Sequence, residues 1–134
     1  MNRIIYPTAD GIAIIIPTES VELALKDVPA GVAYEIVTVD DIPSDRFFRN
    51  AWKANGAAIE VDMPKAKEIG HEIRRSKRAE EFAPHDEVIA KQIPGNDTTA
   101  AEAARQEIRD RYAVMQAKID KAKTPEQIKA ALNT

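Results

Sequence analysis

Apolar residues come in short β-branched runs through the first half of the chain and recur at helical spacing through the second. "RIIYP" and "GIAIIIP" predict two strands, residues 3–6 and 12–16, with "TADG" between them. Asp10-Gly11 is a hairpin signal because Gly, and less readily Asp, tolerates positive φ. Pro7 and Pro17 lack the N–H that a ladder needs, so each is expected at a strand end. "PTESVELALKDVP" predicts a short helix capped by Thr18 or Ser20, with Glu19 and Glu22 at its positive end. "PAG" then turns the chain. "VAYEIVTVD" carries the strongest strand pattern, with Ala33, Glu35 and Val37 on one face and Val32, Tyr34, Ile36 and Thr38 on the other.

In "IPSDRFFRNAW", residues 42–52, Pro43 or Ser44 suits the start of a helical turn. Phe48, Ala51 and Trp52 then share one face at spacings of three and four and pack on the sheet, while Arg46, Arg49 and Lys53 share another. Asn55-Gly56 closes that helix with a left-handed cap, and "AAIEVDM" forms a last short strand. The expected head is a three- or four-stranded, mostly antiparallel sheet with one or two short helices.

Beyond Met63 the pattern changes. "PKAKEIGHEIRRSKRAEEF", 64–82, predicts a helix opened by Pro64, with a thin stripe of Ala66, Ile69 and Ile73 that fades into "RRSKR". Pro84, Pro94 and Gly95 are expected to break the chain before the next helix. In 98–123, apolar residues fall at 101, 104, 108, 112, 115, 119 and 122, a helical stripe for which Thr99 and Glu102 offer a capping box. "TPEQIKAAL" predicts a final helix with Thr124 as cap, Pro125 in the first turn, Gln127 reaching back, and Ile128 and Leu132 as its apolar pair. Two helices joined by a short breaker fold back as a hairpin; self-association of the 101–122 stripe into a homo-oligomer is the alternative. The fold class is therefore α+β, a β-rich head over 1–63 followed by a helical tail over 64–134.

Composition supports that division. The head carries 5 Lys/Arg against 10 Asp/Glu, and the tail 14 against 12. The net charge of −3 argues against bulk binding to nucleic acid. The absence of cysteine excludes disulfides, thiolate metal sites and cysteine nucleophiles. The N-terminal apolar run is broken by Pro7, Thr8, Asp10 and Gly11, so it reads as folded structure rather than a leader, and no run has the length of a membrane span.

Candidate chemistry is sparse. His71 and His85 are the only histidines and read as surface residues. Asp40, Asp41 and Asp45 could hold a divalent cation, but their setting is that of turn and cap residues. Asp45, Glu60, Asp62 and Lys65 are too irregularly spaced for a metal-dependent nuclease. "RRSKR" at 74–78 contains no aromatic to stack a base, is followed at once by Glu80 and Glu81, and reads as a solvated face. What remains is a surface of Arg46, Phe47 and Arg49, since aromatics and arginines dominate binding energy at interfaces.

The order "IIYP", "VPAGVAYEIV", "IPSDRFFRNAW", "IEVDMPKAKEI" and "TPEQIKAAL" resembles a group of small proteins encoded among the tail genes of tailed bacteriophages and prophages, some designated tail assembly chaperones or tail-fibre assembly proteins. The likeness covers residues 1–75 and 124–132; the charged stretch 76–123 departs from it. The most telling segment is "SDRFFRNAW", in which Phe47 stands where the group often has a threonine. The resemblance implies no catalytic residue, and taken with the sparse chemistry of the residues it points to a non-enzymatic protein without cofactor or metal. Its partner would be a phage tail or tail-fibre protein, and its place the bacterial cytoplasm during assembly or the virion. A minor tail component and a host-directed, anti-defence binding protein are the alternatives. The expected contact residues are Arg46, Phe47 and Arg49 in the head. In the tail they are Ile108, Tyr112, Met115 and Ile119, a seam expected to complete its burial only against the partner.

Overall fold

The computed structural model describes residues 1–91 and 97–134. The chain is α+β and separates into two compact units, Met1–Ala66 and Lys67–Thr134.

The first unit begins with β1 (Asn2–Thr8) and β2 (Gly11–Ile15), an antiparallel pair in which Ile4 faces Ile15 and Ile5 faces Ile14. β3 (Glu35–Thr38) joins the other edge of β1, pairing Ile4 with Ile36 and Ile5 with Glu35, so the strand order is β2-β1-β3. Adjacent residues of a strand point to opposite faces, and Ile4 and Ile5 are both fully buried, so both faces of the central strand are covered. Pro7 lies inside β1 rather than at its end, opposite Ile12. β3 reaches only as far as Ile5, so the missing Pro7 N–H removes no rung on that side. Gly11 has φ +133°, and a Cβ on it would lie 3.0 Å from the Arg49 carbonyl oxygen, so glycine serves both the turn and the approach of the 49–51 segment.

The helix α1 (Val21–Ala24) is a single turn capped by Ser20, whose Oγ accepts from the Leu23 N–H at 3.1 Å. A turn with Gly31 at φ +79° leads toward β3, in which Val37 is buried and Ile36 exposed; Tyr34, just before the strand, is exposed as well. β3 is shorter than the nine-residue pattern predicts, since only Glu35–Thr38 finds a partner strand.

The largest departure is at 42–55. No α-helix forms there. Arg49–Ala51 makes one 3₁₀ turn, and Trp52 opens a strand, β4 (Trp52–Asn55), paired antiparallel with β5 (Ala58–Val61) in a second, two-stranded sheet. Gly56, at φ +62°, sits in the hairpin turn between them instead of capping a helix. Phe48, Ala51 and Trp52 are buried as expected, but by a turn and a strand.

In the second unit the helix α2 (Met63–Lys91), which starts in the first, runs on through Pro84. The expected break at Pro84 is therefore absent; Pro94 and Gly95 lie outside the described residues. α3 (Thr99–Lys121) buries Ala101, Ile108, Tyr112, Met115 and Ile119, with Ala122 buried just beyond its end. Thr99 does not cap it: the residue before the helix is Thr98, and Asp97 Oδ1 accepts from the Thr99 N–H at 2.8 Å. α4 (Pro125–Leu132) is capped by Thr124, whose hydroxyl accepts from the Gln127 N–H, while Gln127 Oε1 accepts from the Lys123 N–H at 2.7 Å. Ile128 and Leu132 are buried.

Side chains register α2 against α3 in antiparallel order. Lys67 donates to the Asp120 carbonyl, Glu81 pairs with Arg111, and Asp86 lies 2.9 Å from Arg105. Gly70 lets α4 come close: a Cβ there would lie 2.8 Å from Ile128 Cγ2 and 3.5 Å from Ile119 Cγ2. Lys77 Nζ donates to the Leu132 carbonyl at 3.1 Å and holds the end of α4. The helical tail thus buries its own stripe, contrary to the expectation that a partner completes it.

Candidate functional site

The sequence places its most distinctive residues in 42–52, and the structure builds that segment from consecutive turns. Asp41 Oδ2 accepts from the Thr38 N–H at 2.9 Å and from its hydroxyl at 3.1 Å, closing the 3₁₀ turn Val39–Asp41. Asp45 Oδ1 accepts from the Phe47 N–H at 3.0 Å, an Asx turn. The Arg49 N–H then donates to the Arg46 carbonyl, and the Ala51 N–H to the Phe48 carbonyl. These local bonds compete with a helix and explain its absence.

The turns separate two adjacent aromatics. Phe48 is buried, whereas Phe47 is 43% exposed and meets the Phe48 ring edge to face, 4.7 Å between centroids and 74° between planes. The exposed ring is therefore braced by a buried one, which limits the entropy lost when a partner covers it. Arg46 and Arg49 flank it and are exposed. Arg46 also lines an open groove of about 780 Å³ with Arg3, Ile14, Ile16, Val39 and Ile42. The groove has apolar walls, with two arginines and the carboxylates of Asp40 and Asp41 among them, so it carries no net preference for an acid.

Other candidates are accounted for by folding. Asp41 and Asp45 serve turns, Asp62 Oδ1 accepts from the Lys65 N–H at the start of α2, and Glu60 accepts from the Asn55 amide. Among the described residues no three His, Asp or Glu side chains are grouped to hold a metal ion.

Three expectations for the helical tail are corrected. Ile108, Tyr112, Met115 and Ile119 are 4%, 4%, 2% and 0% exposed, so this seam is the unit's own core and offers a partner no surface. His71 is not a simple surface residue: its Nε2 lies 2.8 Å from Asp120 Oδ1, and its Nδ1 accepts from Arg74 Nε at 3.3 Å. His85 lines a shallow recess with Glu81, Pro84 and Arg111. "RRSKR" is only partly a solvated face. Arg74 is 5% exposed, and burial, followed by Arg78 and Arg75, lowers its guanidinium pKa against the opposing pull of Asp120. Arg78 instead meets the ring of Phe82. That grouping had no signal in the local sequence, because two further arginines reach the same ring from α3.

Tyr112 is the core's titratable member. Burial, followed by its hydrogen bond to Glu81, pushes the phenol pKa up to about 12. The same bond leads the causes that hold the Glu81 carboxylate below its ordinary value of 4.5, with Arg111 adding to it. A phenol whose pKa is raised on folding holds its proton more firmly in the native state. Its contribution is whole below pH 10 and disappears as the pH climbs through 12. The helical unit is expected to lose about 2–3 kcal/mol over that range. Urea unfolding at stepped pH, followed by circular dichroism, measures it; an unchanged slope in Tyr112→Phe would refute the assignment. Glu81 acts with the opposite sign, its contribution present above the ordinary carboxylate pKa and lost as the pH falls below it.

No described helix is long and apolar enough to cross a membrane. Comparison with family models, curated proteins and solved structures found no match to this chain.

Proposed function

We propose that this is a non-enzymatic binding protein that engages a bacteriophage tail or tail-fibre protein during assembly, through Arg46, Phe47 and Arg49 of the head. The observation that carries the reading is a 43%-exposed phenylalanine, braced by a buried one, between two exposed arginines. An aromatic anchor with adjacent forked cations is the composition of an interface hot spot. The tail-region identity of the partner rests on the resemblance carried by "SDRFFRNAW" and the segments around it.

The head supplies the recognition surface for the tail component in this reading; the seam Ile108, Tyr112, Met115 and Ile119 is buried within the helical unit and does not take part. Co-expression with the neighbouring tail proteins followed by a pull-down tests it. Retention of one tail component is expected, weakened about tenfold or more by Phe47→Ala. Presence in purified particles would make the protein a virion part, and capture of a host enzyme alone would make it host-directed. Absence of any tail component from the pull-down would overturn the proposal.

A further inference from the structure

Phe82 on α2 has three guanidinium groups around it. Arg78, one turn earlier, lies 6.0 Å from the ring centroid; Arg105 and Arg109, one turn apart on α3, lie at 5.5 and 5.9 Å. A ring face attracts cations through its quadrupole, yet three positive groups gathered at one ring repel each other. Arg105 is balanced by Asp86 at 2.9 Å. Among the described residues Arg78 and Arg109 form no ion pair, and Arg109 donates only to the Gln106 side-chain oxygen at 3.3 Å. Glu81, adjacent to Phe82 in sequence, is engaged by Arg111 and Tyr112. Contact with the ring consumes none of a guanidinium's five N–H donors. The two unpaired arginines are therefore held on two helices with their hydrogen-bonding capacity largely unused.

We propose that Arg78 and Arg109, gathered over Phe82, form a recognition site for a carboxylate-rich segment of another protein. Paired forks on fixed helices suit discrete carboxylates, which arginine binds in bidentate fashion. A nucleic-acid backbone fits less well. Glu80, Glu107 and Asp110 lie close in sequence to the arginines, so the positive region is confined to two forks, room for a few discrete carboxylates and not for a continuous run of phosphates. The site belongs to the helical unit and stands whether or not the head engages a tail component.

Fluorescence anisotropy with a labelled glutamate-rich peptide tests it on the full chain. A single-stranded oligonucleotide of equal charge and inorganic phosphate are run in parallel. The peptide is expected to bind at about 50 mM salt and to weaken as salt rises. Arg78→Gln with Arg109→Gln should lower affinity about tenfold or more, and Lys118→Gln, further along α3, should leave it unchanged. Should the glutamine pair reduce helix content, Arg78→Lys with Arg109→Lys keeps the charge, removes the fork, and is expected to weaken binding as well. No peptide binding at low salt, binding by both double variants as tight as by the parent, or binding of the oligonucleotide or phosphate in place of the peptide would overturn the proposal.

Discussion

Gly70→Val is expected to destabilise the helical unit by about 3 kcal/mol, and Gly70→Ala by about 1 kcal/mol or less. Glycine inside a helix is ordinarily a weakness, worth about 1 kcal/mol against alanine. Here the ordinary gain is opposed. A Cβ at position 70 would stand 2.8 Å from Ile128 Cγ2, an atom attached directly to a β-carbon on a fully buried side chain. Such a methyl cannot swing aside, so the helices must separate. They must do so where Ile119 and Ile128, both fully buried, meet over the glycine. Alanine nearly balances clash against helix propensity, and valine adds two methyls with no space to receive them. Urea unfolding followed by circular dichroism measures the loss. Trp52, the only tryptophan, lies in the other unit and reports on the head separately. A valine variant as stable as the parent would show that α4 does not sit on Gly70.

The second large effect has the opposite sign. Pro84→Ala is expected to stabilise the helical unit by about 2 kcal/mol. A proline within a helix removes one backbone hydrogen bond and crowds the carbonyl four residues earlier, at a cost of about 3 kcal/mol. α2 continues regardless, because contacts on both sides of Pro84 hold it to α3. Phe82 is covered by Arg105 and Arg109, Glu81 pairs with Arg111, and Asp86 with Arg105. Position 84 is exposed, so alanine restores the bond and disturbs little packing. Thermal unfolding should show a higher midpoint, and hydrogen exchange should show greater protection of the amides around residue 84. A lower midpoint would mean that the proline bend itself seats α2 on α3.

The sequence alone determined what depends on near neighbours. The hairpin at Asp10-Gly11, the Ser20 and Thr124 caps, the 101–122 stripe and the burial of Phe48, Ala51 and Trp52 each follow from spacings of a few residues and from groups that bond within one turn. Tertiary structure decided the rest, because competing local preferences at those places are nearly balanced. Residues 43–52 satisfy a helical pattern and a run of Asx and 3₁₀ turns alike; the strand partner that Ala58–Val61 offers to Trp52 decides for the turns and β4. Pro84 signals a stop, and contacts with Arg105 and Arg111, on the next helix of the chain, outweigh it. The apolar stripe of α3 could have served a partner or a second copy, but Gly70 admits Ile119 and Ile128 and so provides an internal one. For the same reason the arginines around Phe82 were not legible: a residue's charge is written in its letter, whereas its neighbours across a helix pair are set only when the chain has folded.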